Sequence, residues 1–88
     1  LAKKLERVSK AFDVELILAV QAADIYPVSK AVSVPIYAQH IDAVNYGSNT
    51  GFILAESAKE AGAQGTLINH SEHQLVMENI ERITKKAI

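Results

Sequence analysis

The chain has 88 residues, 49% hydrophobic and 22% charged, with a formal net charge of -1 and no cysteine. That length allows one domain at most with a modest core, and the balanced charge provides neither a basic stripe for nucleic acid nor a polybasic patch for a membrane. The lack of cysteine excludes a disulfide framework and thiolate-bound metal, and no apolar run is long enough for a signal peptide or membrane span, so a cytoplasmic protein is expected.

Leu1, Leu5, Val8 and Phe12 recur at helical spacing while Lys3, Lys4, Glu6, Arg7 and Lys10 fill the other face, which predicts a core-facing helix. Asp13 is its expected stop, because Asp tolerates the left-handed backbone. Val14 to Val20 reads as a strand covered on both faces, apolar except for Glu15 and therefore buried. Gln21 to Val32 reads as a strand-to-helix passage whose helix is N-capped by Asp24, with Pro27 in its first turn and Ile25, Val28 and Val32 facing inward. Ser33 to Pro35 leads to the next strand, Ile36 to Gln39, which finishes in the polar residues His40 and Asp42.

From Ile41 to Phe52 periodicity disappears and turn formers gather: Asn45, Gly47, Ser48, Asn49 and Gly51. A loop of this length in a compact α/β protein is usually a functional or interface loop. Leu54, Ala58 and Ala61 mark a short helix closed by Gly62. Thr66, Leu67 and Ile68 then form a short buried strand that stops abruptly at Asn69-His70-Ser71-Glu72, and Ser71 with Gln74 has the spacing of a capping box, which predicts a helix starting directly after His70. Val76, Ile80, Ile83 and Ala87 line one face of the last helix, with Glu78/Arg82 and Glu81/Lys85 pairs outside and Lys85 and Lys86 at its carboxyl end.

Regular alternation of helix and strand implies an α/β fold with parallel strands joined by right-handed crossovers. Periodicity leaves a doubly wound sheet and part of a (β/α)8 barrel equally open. Three strands alone would leave two exposed edges and too few helices to cover the sheet, so the chain is expected to be incomplete. In either architecture the chemistry sits at the carboxyl ends of the strands, where His40, Asp42 and His70 fall.

At Gln39-His40-Ile41-Asp42, Gly47-Ser48-Asn49-Thr50-Gly51, Glu60-Ala61-Gly62-Ala63 and Asn69-His70-Ser71-Glu72 the sequence resembles the triosephosphate isomerase family, particularly its archaeal branch, across essentially the whole chain. The resemblance implies a partial (β/α)8 TIM barrel, a single segment over residues 1–88 running from the end of the first helix through the fourth and containing parallel strands 2 to 4. It also implies that the whole enzyme interconverts dihydroxyacetone phosphate and D-glyceraldehyde 3-phosphate by enediolate proton transfer, without metal or organic cofactor, as a homo-oligomer, dimer or tetramer. His70 matches the family's electrophilic histidine, which polarises the substrate carbonyl; an imidazole kept neutral by a helix N-terminus is that family's known arrangement. Glu72 matches the acidic residue that helps organise the catalytic lysine, although a carboxylate favoured by a helix N-terminus would look the same. Gln39, Gly47, Ser48, Asn49, Thr50 and Gly51 match the subunit interface, with Thr50 at the tip of a loop that reaches a neighbouring subunit.

The same resemblance places the catalytic lysine before Leu1 and the general-base glutamate and phosphate-gripping loops beyond Ile88, so the chain alone is expected to be inactive. Three positions depart from the family pattern: His73 and Gln74 stand where arginine is common after the glutamate, and Val20 replaces a frequent proline. Two rival readings remain, a small non-catalytic α/β interaction module and a fragment of another phosphate-binding barrel enzyme. His40, Asp42, His70 and His73 invite a metal hypothesis, but their spacing matches no ligand signature, and no metal is expected.

Overall fold

A computed structural model describes all 88 residues. The first apolar stripe forms helix α1 (Ala2–Ala11), and the chain leaves it at Asp13, whose φ of 52° is the left-handed value expected there. The stripe itself does not face a core: Leu5 is 37% exposed, Val8 53% and Phe12 74%. α1 is instead moored through buried Ser9 and through the Glu6 carboxylate, which accepts hydrogen bonds from the Ser33 N–H at 2.6 Å and its hydroxyl at 2.7 Å. No element of these residues buries the stripe, which corrects the core-facing expectation.

Strands β1 (Leu18–Val20), β2 (Ile36–Ala38) and β3 (Gly65–Thr66) form one parallel sheet in the order β1-β2-β3. Helices α2 (Ile25–Ala31), α3 (Ala55–Ala61) and α4 (Met77–Ala87) alternate with them. The register pairs Leu18 with Ile36, Val20 with Ala38 and Ala38 with Thr66. β1 is shorter than the predicted Val14–Val20 because its partner runs out: Leu18 N–H bonds to Pro35 O at 3.1 Å, and the chain before Pro35 turns away. Val14 and Ile17 are consequently left exposed. β3 stops at Thr66, two residues short of the predicted Ile68, for the same reason, since β2 ends at Ala38, the partner of Thr66.

α2 is preceded by a 3-10 turn, Ala22–Asp24, so Asp24 keeps a helical backbone and its carboxylate caps nothing. Pro27 does fall in the first turn of α2. α3 ends as its sequence predicts, with Gly62 at φ 122°, where a side chain would also collide with Ser29. α4 begins only at Met77, preceded by Val76 without a side-chain cap; Glu81 and Lys85 pair at 3.0 Å, while Glu78 and Arg82 form no ion pair. On its inward face Ile83 is buried and Ile80 half-buried, but Val76 and Ala87 are exposed.

The core is small: Ile25, Ile36, Ala38, Ile41, Ala58 and Ile83. Ile36 and Ala38 point toward the helices, and Tyr37 between them points to the opposite face, as strand alternation requires. Successive helices touch, α1 on α2 and α2 on α3. That contact chain arises when helices share one face of the sheet, as in a barrel wall. On the other face the Tyr37 ring lies over Gly65, its register partner, where an added Cβ would come within 2.6 Å of the ring.

Gly65→Ala should therefore cost about 1–3 kcal/mol through overpacking. Urea unfolding should show that cost shrinking in a Tyr37→Ala background, and an equal cost in both backgrounds would refute the contact. Glu6 gives a second test. The hydroxyl and then the N–H of Ser33 hold its carboxyl below the ordinary value of 4.5. A lowered folded-state pKa adds stability that is present above the unfolded value and lost as pH falls through the folded one. The stability difference between wild type and Glu6→Gln should thus be constant near neutrality and shrink below about 4.5; a difference that persists in acid would contradict it.

Candidate active site

Parallel pairing gathers at one edge the residues that follow Val20, Ala38 and Thr66. The ladder runs slightly past the strands, with Gln39 N–H on Val20 O at 3.1 Å and Leu67 N–H on Ala38 O at 2.9 Å. Gln39, His40 and the segment leading to His70 therefore share the carboxyl-end edge, as the sequence predicts.

His70 is presented by a turn, not by a helix. Asn69 adopts a left-handed φ of 61°, which swings the chain off the strand direction, and its side-chain oxygen accepts the Leu75 N–H at 2.7 Å. The His73 N–H closes back on His70 O at 2.8 Å, which places Ser71 and Glu72 at the corner. The predicted capping box does not form, because the Glu72, His73 and Leu75 amides are engaged in this turn and α4 starts only at Met77.

A single amide takes the place of the expected helix N-terminus. The Glu72 N–H donates to His70 Nδ1 at 3.1 Å. An accepting Nδ1 carries no proton, so a neutral His70 has its hydrogen on Nε2. The ring is half-exposed, leaving that N–H free to meet a ligand. The Glu72 carboxylate lies 3.6 Å from Nδ1, too far for a hydrogen bond, and is exposed to water, so the amide decides the tautomer.

Next to this turn, His40 Nε2 lies 2.8 Å from Asp42 Oδ1, and the His40 and His73 rings stack with centroids 4.1 Å apart. Burial pushes the Asp42 carboxyl up, but the Ile53 N–H at 2.8 Å and His40 outweigh it, leaving the carboxyl below its ordinary range. His40, Asp42 and His73 thus come together, yet the rings lie face to face and Asp42 is occupied by hydrogen bonds. No three of these groups, His70 included, converge on a common point where an ion would sit. Three of the four residues weighed as metal ligands, His40, Asp42 and His73, form a stacked, hydrogen-bonded cluster, a pairing that spacing along the chain could not reveal.

Asp42 also fixes the irregular loop. Its N–H bonds to Ile53 O at 2.9 Å and it bridges Leu54, so both ends of the loop are tied together. Within it Gly47 and Gly51 have φ of 138° and 86°, the Asn49 amide donates to Asn45 O, and the Phe52 N–H bonds to Asn49 O. Ser48 and Thr50 are exposed at the tip. Gln39 is exposed as well, with its side-chain amide on Ala19 O at 3.2 Å. Lys86 joins the loop to two helices, contacting Asn45 at 3.3 Å and Glu56 at 3.1 Å.

Against known proteins, the family model described as triosephosphate isomerase matches residues 1–88. A triosephosphate isomerase of Saccharolobus solfataricus is 50% identical over 86 residues, covering 98% of this chain and 38% of its own length. One from Methanothermus fervidus is 48% identical over 86 residues, covering 98% of this chain and 39% of its own. The chain therefore spans under two fifths of the length of these curated relatives. In shape it is similar to the crystal structure of triosephosphate isomerase from Bartonella henselae, with a TM-score of 0.73 over 99% of this chain and 42% of that one at 21% identity. The fold is thus part of a barrel, not of a doubly wound sheet, and the four motifs are not a chance coincidence. Because that family model matches this chain from Leu1 to Ile88, the chain belongs to the triosephosphate isomerase family.

Proposed function

We propose that these residues form the electrophilic segment of a triosephosphate isomerase, a single barrel segment over residues 1–88, and that the whole protein interconverts dihydroxyacetone phosphate and D-glyceraldehyde 3-phosphate. The observation that carries this reading is the Glu72 N–H on His70 Nδ1 at 3.1 Å. It leaves the Nε2–H as the donor, at the strand edge where such barrels do their chemistry.

In this reading a base removes a proton from the carbon next to the substrate carbonyl, negative charge develops on the carbonyl oxygen, and the His70 Nε2–H hydrogen-bonds to that oxygen. The bond strengthens as charge builds, which lowers the barrier. The enediolate is then reprotonated on the adjacent carbon, while the former carbonyl oxygen gains a proton and the neighbouring hydroxyl oxygen gives one up to become the new carbonyl. The interconversion is redox-neutral and needs no metal or organic cofactor. Glu72 acts through its backbone by orienting His70, and its carboxylate stands ready to meet the lysine on the family's first strand. The lysine, the base and the phosphate-binding loops belong to parts of the family pattern outside these residues, so the chain by itself has no useful activity.

The Gly47–Gly51 loop and Gln39 are read as subunit contacts of a homo-oligomer, dimer or tetramer, with Ser48, Asn49 and Thr50 supplying the surface. This fits a loop whose ends Asp42 holds and whose tip is exposed. No helix is long and apolar enough to cross a membrane, and a cytoplasmic enzyme is the reading consistent with that.

The test is to substitute residues 1–88 for the matching stretch of the Saccharolobus solfataricus relative and to assay the chimera. It should isomerise triose phosphate, and His70→Gln should lower its kcat by about 10²–10³, the usual cost of one such donor. A His70→Gln chimera with unchanged kcat would overturn the assignment, and isomerase turnover by the purified 88-residue chain would overturn its inactivity.

A further inference from the structure

The turn that carries His70 rests on a pair of imidazoles. Its closing residue, His73, bonds through its N–H to His70 O at 2.8 Å and stacks its ring on His40, with centroids 4.1 Å apart and planes 32° from parallel. His40 is a fixed platform, since its Nε2 is 2.8 Å from Asp42 Oδ1 and Asp42 is itself tied to Ile53 through its other oxygen and its N–H. One residue therefore both docks the turn and closes it around the Glu72 N–H that holds His70.

One carboxylate serves both rings, because Asp42 feels the charge of His40 and of His73. A single proton on the pair is accommodated, as an imidazolium beside Asp42 stacked on a neutral ring. A second proton sets two cations face to face over one counter-charge. No second counter-charge stands beside the rings: Arg82 of α4 lines a small cavity with Asp42, and Glu72 is exposed and lies nearer His70. Glu78 of α4 is exposed to water.

We propose that the His40–His73 stack is an acid-sensitive latch: with at most one proton on the pair the turn carrying His70 is docked, and the second proton releases it. The latch concerns the turn's geometry and stands whether or not the whole protein is an isomerase; in an isomerase it makes His73 a positioning residue for His70. Its sign follows from linkage. The docked state binds fewer protons than the released one, so docking is favoured at high pH and lost on acidification.

The experiment is amide exchange and backbone NMR on the chain at about pH 8 and about pH 5, reading the Leu75 amide, which bonds to Asn69, as a protection factor corrected for intrinsic exchange, because His70 Nδ1 stops accepting the Glu72 N–H once it is itself protonated. Wild type should lose protection about tenfold on acidification. His73→Phe, which keeps a ring to stack but takes no proton, should stay protected at both values. His73→Ala, which removes the ring, should be unprotected at both. A wild type with equal protection at both values, including one unprotected throughout, overturns the latch, as does an acid response in His73→Phe equal to wild type.

Discussion

Everything at the candidate site depends on the parallel pairing of Ile36–Ala38 with Leu18–Val20 on one side and Gly65–Thr66 on the other. Because the strands run the same way and in chain order, three stretches far apart in sequence end on one edge. The register is short, yet it is confined by burial: Ile36 and Ala38 must meet the helices, and slipping β2 by one residue would exchange them for Tyr37. From that edge the chain needs only a sharp departure after β3 to present a side chain, and left-handed Asn69 supplies it.

The chemistry of His70 follows from one backbone amide. A helix end would act on the imidazole through several N–H groups and a macrodipole, whereas here the Glu72 N–H alone occupies Nδ1. The consequence for the tautomer is the same, since a nitrogen that accepts cannot also carry the proton. The turn that aims this amide leans on a neighbouring cluster of His40, Asp42 and His73, and Asp42 in turn holds the ends of the Gly47–Gly51 loop. The proposed electrophile and the proposed subunit contact are thus tied to one carboxylate.

Where local signals decide structure, the sequence was a good guide. Asp13 and Gly62 end their helices at the positions their residue types suit, Pro27 sits in a first turn, and Ile25 reaches the core. Where a distant partner decides, it was not. Leu5, Val8 and Phe12 have helical spacing but no neighbour among these residues, and Val14 and Ile17 have strand character but nothing to pair with. Ser71 and Gln74 offer a capping box, but the Asn69 side chain claims the Leu75 amide and delays the helix to Met77. The stacking of His73 on His40 joins residues from two strand ends, which no periodicity in one segment can show. Barrel and doubly wound sheet share one alternation of elements; the family motifs, then the side-by-side helices and the similarity of shape, separate them.

The central claim, that the Glu72 amide leaves His70 with its proton on Nε2, is tested most directly by long-range 1H–15N correlation of the histidine rings near neutral pH. The account predicts a neutral His70 with a bare, hydrogen-bond-accepting Nδ1 and a protonated Nε2. A neutral His70 with its proton on Nδ1 would contradict it, because that ring could not accept the Glu72 N–H.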